Sequence, residues 1–156
     1  MNNPKYIISV DPGLSGAAII WEDTKIVDGI QWTRESDACE FVDRIRAPES
    51  IAVIEDVTQS MTSEIKSAVK LSTNYGFWRG LMTGFDVPVV AVAAPKWTRP
   101  FKKIGESLTY AQRKRRWRIK AKELYPKCPY ANEYTADAIL IGHWFIHCET
   151  AQLPLT

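Results

Sequence analysis

YIISVDPGLSGAAII, residues 6–20, decides the fold. Two apolar, largely β-branched runs flank one carboxylate, Asp11, which is followed at once by Pro12 and Gly13. The runs read as two strands joined by a tight Gly-containing turn, so they form a hairpin. An ionised acid at the end of a buried strand is costly to desolvate. Asp11 is therefore a turn former, a phosphate-loop residue or a metal ligand, and the remaining sequence must discriminate.

Working outward, "IVDGIQWT" adds a third strand after the turn at residues 22–25, giving an antiparallel meander. Ser36 is placed to cap a helix running to about Arg46, with Ala38, Phe41, Val42 and Ile45 at helical spacing. "SIAVIEDV" is apolar on both faces as far as Glu55, as a central strand covered on both sides should be. A long helix follows over residues 63–85, with Ser63 as its cap and Gly76, Gly80 and Gly84 at four-residue spacing. "VPVVAVA" is the fifth strand, and residues 94–108 are expected to be a loop. Thr109 opens a basic helix ending near Tyr125, and a final helix is expected from Asn132 to about Glu149. The order β-β-β-α-β-α-β-α-α predicts an RNase H-like α/β fold. Its core is a mixed five-stranded sheet, a three-strand antiparallel meander plus two parallel strands, with helices on both faces.

The chain has 156 residues, enough for a single domain over 1–156 with its own core. No apolar run reaches the roughly 18–20 residues of a membrane span. "MNNPKY" carries no signal pattern, so a cytoplasmic protein with no membrane association is expected. Cys39, Cys128 and Cys148 are scattered and odd in number, which supports neither a disulfide framework nor a zinc site. The net charge of +2 conceals a segregation. Residues 96–127 hold twelve Lys/Arg against two acids, and the rest of the chain is acidic. One strongly basic segment on an otherwise acidic chain is the footprint of a polyanionic partner, here nucleic acid.

Three acids share a type of position. Asp11 ends the first strand, Glu55 ends the fourth, and Asp137 lies in the first turns of the last helix. If strands one and four are parallel neighbours, their C-terminal ends lie side by side, where open α/β sheets place ligands. Mg²⁺ takes oxygen ligands and uses few carboxylates, leaving room for phosphate and water. Singly, each acid has a bland explanation: a turn former, a strand-end surface acid, or a helix N-terminal acid favoured by the dipole. Together, beside a basic segment, they point to a metal-dependent nuclease.

The stretches "ISVDPGLSGAAII", "IAVIEDV" and "TADAILIGHWFIHC" together resemble the RuvC family of Holliday junction resolvases, in order and spacing, over nearly the whole chain. The resemblance implies that Asp11, Glu55 and Asp137 are metal ligands and catalytic acids. The family has a further acid or histidine three positions before the last aspartate, where this chain has Tyr134. Glu133, four residues before Asp137, is expected to substitute from the same helical face. Asp56 is disfavoured because adjacent strand residues point to opposite faces. The resemblance further implies two Mg²⁺ per site, with Mn²⁺ as a substitute and no nucleotide cofactor. It also implies a homodimer acting on branched DNA, nicking a four-way junction symmetrically with water as nucleophile to leave a 5′ phosphate. The helix over residues 63–85, with Gly76, Gly80 and Gly84, is the candidate dimer surface; the alternative is that it packs within the monomer.

For DNA, Lys96, Arg99, Lys102, Lys103, Arg113, Lys114, Arg116 and Lys120 are expected on phosphates, and Trp97 and Phe101 on unstacked bases. Thr58, Gln59 and Ser60 are a candidate loop for the junction centre. His143 and His147 read as packed, hydrogen-bonded histidines. One rival is another RNase H-like nuclease acting on RNA–DNA hybrid, flap or precursor RNA. Another is a non-catalytic branched-DNA binder. "DPGLSG" also resembles the phosphate loop of sugar kinases and actin-like ATPases, but the second loop and second domain of that class are missing.

Overall fold

The computed structural model describes residues 4–32, 34–45, 49–58, 64–103 and 107–149. Strands β1 (Tyr6–Asp11), β2 (Ala17–Glu22) and β3 (Lys25–Gln31) form the meander. Helix α1 (Glu35–Asp43) leads to β4 (Ser50–Asp56), and α2 (Ile65–Gly84) leads to β5 (Val89–Ala93). Then come α3 (Ala94–Thr98), a 3₁₀ turn (Arg99–Phe101), α4 (Tyr110–Leu124) and α5 (Ala136–Trp144), which runs on as a π-helical turn (Phe145–Glu149). The sheet order is β3-β2-β1-β4-β5, antiparallel across β3, β2 and β1 and parallel across β1, β4 and β5. This is the mixed sheet that the strand pattern predicted.

Strand alternation divides the core into two layers. Ile8, Val10, Ala18, Ile20, Ala52 and Ile54 face α1 and α2, where Phe41, Val42, Trp78 and Met82 are buried. Ile7, Ile19, Trp21 and Val53 face α3, α4 and α5. By the same parity Asp11 and Glu55 belong to the α5 face, and Asp56 belongs to the other. Asp56 instead accepts hydrogen bonds from the Thr58 backbone N–H and hydroxyl, at 2.9 and 2.7 Å.

Helix α5 lies close on β1 and β2 because Gly142 has no side chain. A Cβ there would stand 2.2 Å from Trp21 Nε1 and 2.7 Å from Ser9 Oγ. Those two atoms already share a hydrogen bond of 2.8 Å. Every residue of Ala136–Gly142 is buried, since α5 is sandwiched between the sheet and α4. Apart from Asp137, this stretch is accordingly apolar all round.

Several boundaries differ from the sequence reading. The segment after β5 is not a continuous loop: α3 starts directly at Ala94, with Pro95 in its first turn. Its Trp97 enters the core, 2% exposed. Helix α1 begins at Glu35, so Ser36 lies in its first turn and is not the cap. Helix α5 begins at Ala136 and not near Asn132, because Asn132 accepts hydrogen bonds from the Tyr134 and Thr135 N–H groups and holds residues 132–135 in a turn. Thr109 does cap α4, forming a reciprocal capping box with Gln112. Ser63, Gln59 and Ser60 lie outside the described residues. Cys39, Cys128 and Cys148 form no disulfide. Among the described residues no helix is long and apolar enough to cross a membrane.

Candidate active site

Parallel pairing of β1 with β4 aligns Val10 with Ile54, so Asp11 and Glu55 come next on adjacent strand ends. The N-terminal turn of α5 brings Asp137 to the same edge. Asp11 and Asp137 are each only 7% exposed, and Glu55 is half-buried. The D-P-G turn is held in place from two sides. Gly13 N–H donates to Asp11 Oδ1 at 2.9 Å, and the buried Asn74 of α2 donates to the Gly13 carbonyl at 3.0 Å. Gly16 closes the turn where a Cβ would stand 2.2 Å from the Asp11 carbonyl oxygen.

The three acids feel one another. Burial pushes Asp11 up to about 6, aided by the Asp137 charge and opposed by Lys114 and the Gly13 N–H. Burial pushes Glu55 up to about 8, aided by Asp11 and Asp137 and opposed by Lys114 and the Trp97 indole. That indole N–H lies near Glu55 but makes no hydrogen bond of good geometry. Such mutual destabilisation of buried negative charge is the electrostatic signature of a cation site or of a catalytic acid group.

One cation is already present. Lys114, from the second turn of α4, places its ammonium 2.6 Å from Asp137 Oδ2 and 3.8 Å from Asp11 Oδ2. Burial pulls the Lys114 pKa down, but the two carboxylates outweigh it and hold the ammonium above its ordinary range. Among the described residues Asp137 Oδ1, which is buried, has no hydrogen-bond partner. An unpartnered carboxylate oxygen, hard oxygen donors on three elements and negative charge only partly offset by Lys114 fit a hard divalent cation. As the side chains stand, no three Asp, Glu, His or Cys groups among the described residues close around one point as a finished ligand set.

Glu133 does not join this group. It lies in the turn ahead of α5, its side chain is 60% exposed, and it sits 3.9 Å from Arg118. The expected helical face fails because the helix starts three residues later. Trp97 is likewise corrected: it packs against Trp117 inside the core and cannot offer its face to a base. Phe101 stacks edge-on to Trp117 and against His143. His143 is packed as expected, 2.8 Å from the Tyr125 hydroxyl and against the His147 ring; burial, with His147 and Lys120 nearby, pulls it down to about 4.

The basic residues divide into four groups. Lys96 turns away to Glu149 (2.6 Å) and the Trp144 ring. Lys114 enters the acid cluster. Lys102, Lys103, Arg115, Arg116 and Lys120 line a groove of about 570 Å³ between the 3₁₀ turn and the outer face of α4, with Phe101, Leu108 and Ile119 beneath. Arg99 and Arg113 are exposed, Arg113 beside the Tyr110 ring. Sequence reasoning missed the dual position of Lys114, Arg115 in the groove, and Asn74. For Lys114 a signal existed: it lies three and seven residues before Trp117 and Ala121, the buried face of α4. A lysine on a buried face needs a partner.

The sheet order and flanking helices are those of the RNase H-like α/β fold. No protein-family model and no curated protein matches the chain. Solved structures do match. Thermus thermophilus RuvC in complex with Holliday junction substrate aligns with a TM-score of 0.64 and 13% identity, covering 90% of this chain and 94% of that one. A second Thermus thermophilus RuvC structure aligns with a TM-score of 0.61, the same identity and the same coverage. Within its class, therefore, this chain has the RuvC-like fold.

Proposed function

We propose that the protein is a Mg²⁺-dependent structure-selective DNA endonuclease that resolves four-way junctions by paired nicks. The observation that carries this reading is the buried Asp11–Glu55–Asp137 cluster with the unpartnered Asp137 Oδ1, on a RuvC-like fold whose α4 also presents a basic groove. Asp11, Glu55 and Asp137 would hold the metal, one or two Mg²⁺ with Mn²⁺ as a substitute. Bound there, divalent ions supply a more acidic water and stabilise the departing oxygen in phosphodiester hydrolysis.

The chain's own residues do the rest. Gly13 N–H holds the Asp11 carboxylate and Asn74 holds the Gly13 carbonyl of the same turn, so the acid need not reorganise as charge develops. The groove cations bind backbone phosphates and orient the duplex arms, giving salt-dependent affinity. A homodimer matches the two-fold symmetry of a junction. Helix α2 offers a surface for it: Ile65 and Val69 are 80% and 60% exposed, and Gly76, Gly80 and Gly84 face open space.

The test is cleavage of a synthetic four-way junction in Mg²⁺, beside linear duplex, flap and RNA–DNA hybrid. Paired nicks in the junction with the others spared are expected. Cleavage of hybrid or flap alone would transfer the same site to the rival RNase H-like activity.

A further inference from the structure

The Lys114 ammonium sits where a metal ion would be wanted. It is 2.6 Å from Asp137 Oδ2 and 3.8 Å from Asp11 Oδ2, both oxygens of the proposed ligand set. A single positive charge satisfies part of the cluster: among the described residues Glu55 has no hydrogen-bonded cation, and Asp137 Oδ1 has no partner. A divalent ion binding these carboxylates would meet the ammonium within a few ångströms, at a strong electrostatic cost in a poorly solvated site. The two cations therefore compete.

The geometry also allows Lys114 to leave. Its side chain retains 35% of its surface exposure, so the site has a solvent side. Tyr110, one turn earlier and 66% exposed, stands there with its ring 5.9 Å from the ammonium. The flexible four-carbon stem of lysine suits an exchange between carboxylate and phosphate better than a rigid guanidinium fork would. Phosphate is the one anion that the proposed substrate brings to this edge.

We propose that Lys114 is a built-in competitor of the metal. Its ammonium fills the carboxylate cluster of the free protein and moves to a substrate phosphate, so that metal loading and DNA binding are coupled. This rests on the nuclease reading. It adds that the free enzyme is metal-poor by design and loads fully only on its substrate. By linkage, whatever DNA adds to metal affinity the metal returns to DNA affinity.

The test is calorimetric titration with Ca²⁺, a hard cation that reports binding, on wild type, Lys114→Met, Lys114→Arg and Asp137→Asn, each checked for folding by circular dichroism. In free protein, Lys114→Met should bind about tenfold more tightly than wild type, within the 5–150-fold range usual for coupled sites. Lys114→Arg, which keeps the charge, should not tighten binding. Junction DNA should then tighten Ca²⁺ binding more in wild type than in Lys114→Met, the excess being the coupling. Equal affinities in wild type and Lys114→Met, both abolished by Asp137→Asn, would overturn the competition and leave the nuclease reading standing. Binding that Asp137→Asn does not weaken would overturn both.

Discussion

Helix α4 has two faces that are both basic and stand in opposite surroundings. On the inner face Lys114 is drawn between Asp137 and Asp11, next to the buried Trp117 and Ala121. On the outer face Arg115, Arg116 and Lys120 line an open groove with Lys102 and Lys103. The residue types are the same, but the surroundings differ. Charge beside buried carboxylates is poorly screened by salt, whereas charge in an open groove is strongly screened. The inner face should therefore govern chemistry and metal loading, and the outer face affinity for nucleic acid.

The largest expected effect is on the inner side. Asp11→Asn, Glu55→Gln and Asp137→Asn should each lower junction cleavage by about a hundredfold or more, the scale of losing one preorganised electrostatic contact. Junction binding in the absence of metal should be retained. Next is the seam joining the faces to the core. Trp117→Ala removes a fully buried indole that contacts Trp97 and Phe101, and should destabilise the fold by about 3–5 kcal/mol in chemical denaturation. On the outer face, Arg115→Ala or Lys102→Ala should weaken binding several-fold and lower the slope of log K against log salt by about 1 each. A slope unchanged by both would remove the groove from the interface. Smallest is Glu133→Gln: an exposed acid 3.9 Å from Arg118 is expected to change stability by less than about 1 kcal/mol and leave cleavage near wild type.

The contrast also has a pH signature. Glu55 is raised to about 8 in the folded protein, so between its ordinary carboxylate value and pH 8 the native state binds more protons than the unfolded one. Stability from this group is present at low pH and lost as pH rises through 8. Asp11, raised to about 6, acts in the same sense at lower pH, where His143, lowered to about 4, acts in the opposite one. The clean window is thus about pH 6.5–8. Metal-free thermal melts should drop across it, and saturating Mg²⁺ should abolish the drop. A flat metal-free profile would mean that the acids are not mutually destabilising.

The sheet was legible in the sequence because strand alternation and the Gly-containing hairpin turn are local signals. The five strands and the meander-then-parallel order follow from them, and so does the pairing of Asp11 with Glu55 at one edge. Asp137 was legible through its place before an apolar run. Glu133 was misjudged because Asn132, a turn former, delays the start of α5. Trp97 was misjudged because a Pro-rich stretch after a strand resembles a loop while its tryptophan fills the core. The inward position of Lys114 depended on tertiary packing, since only the register of α4 on α5 turns one lysine of a basic run toward the acids. Composition registers the run and not its division.

The central claim is that the buried carboxylate cluster is a cation-dependent nuclease centre. It is tested most directly by Asp137→Asn, with metal-free junction binding and junction cleavage in Mg²⁺ measured on the same preparation. The account predicts that metal-free binding is retained while cleavage falls about a hundredfold or more. Full cleavage by this variant would contradict it.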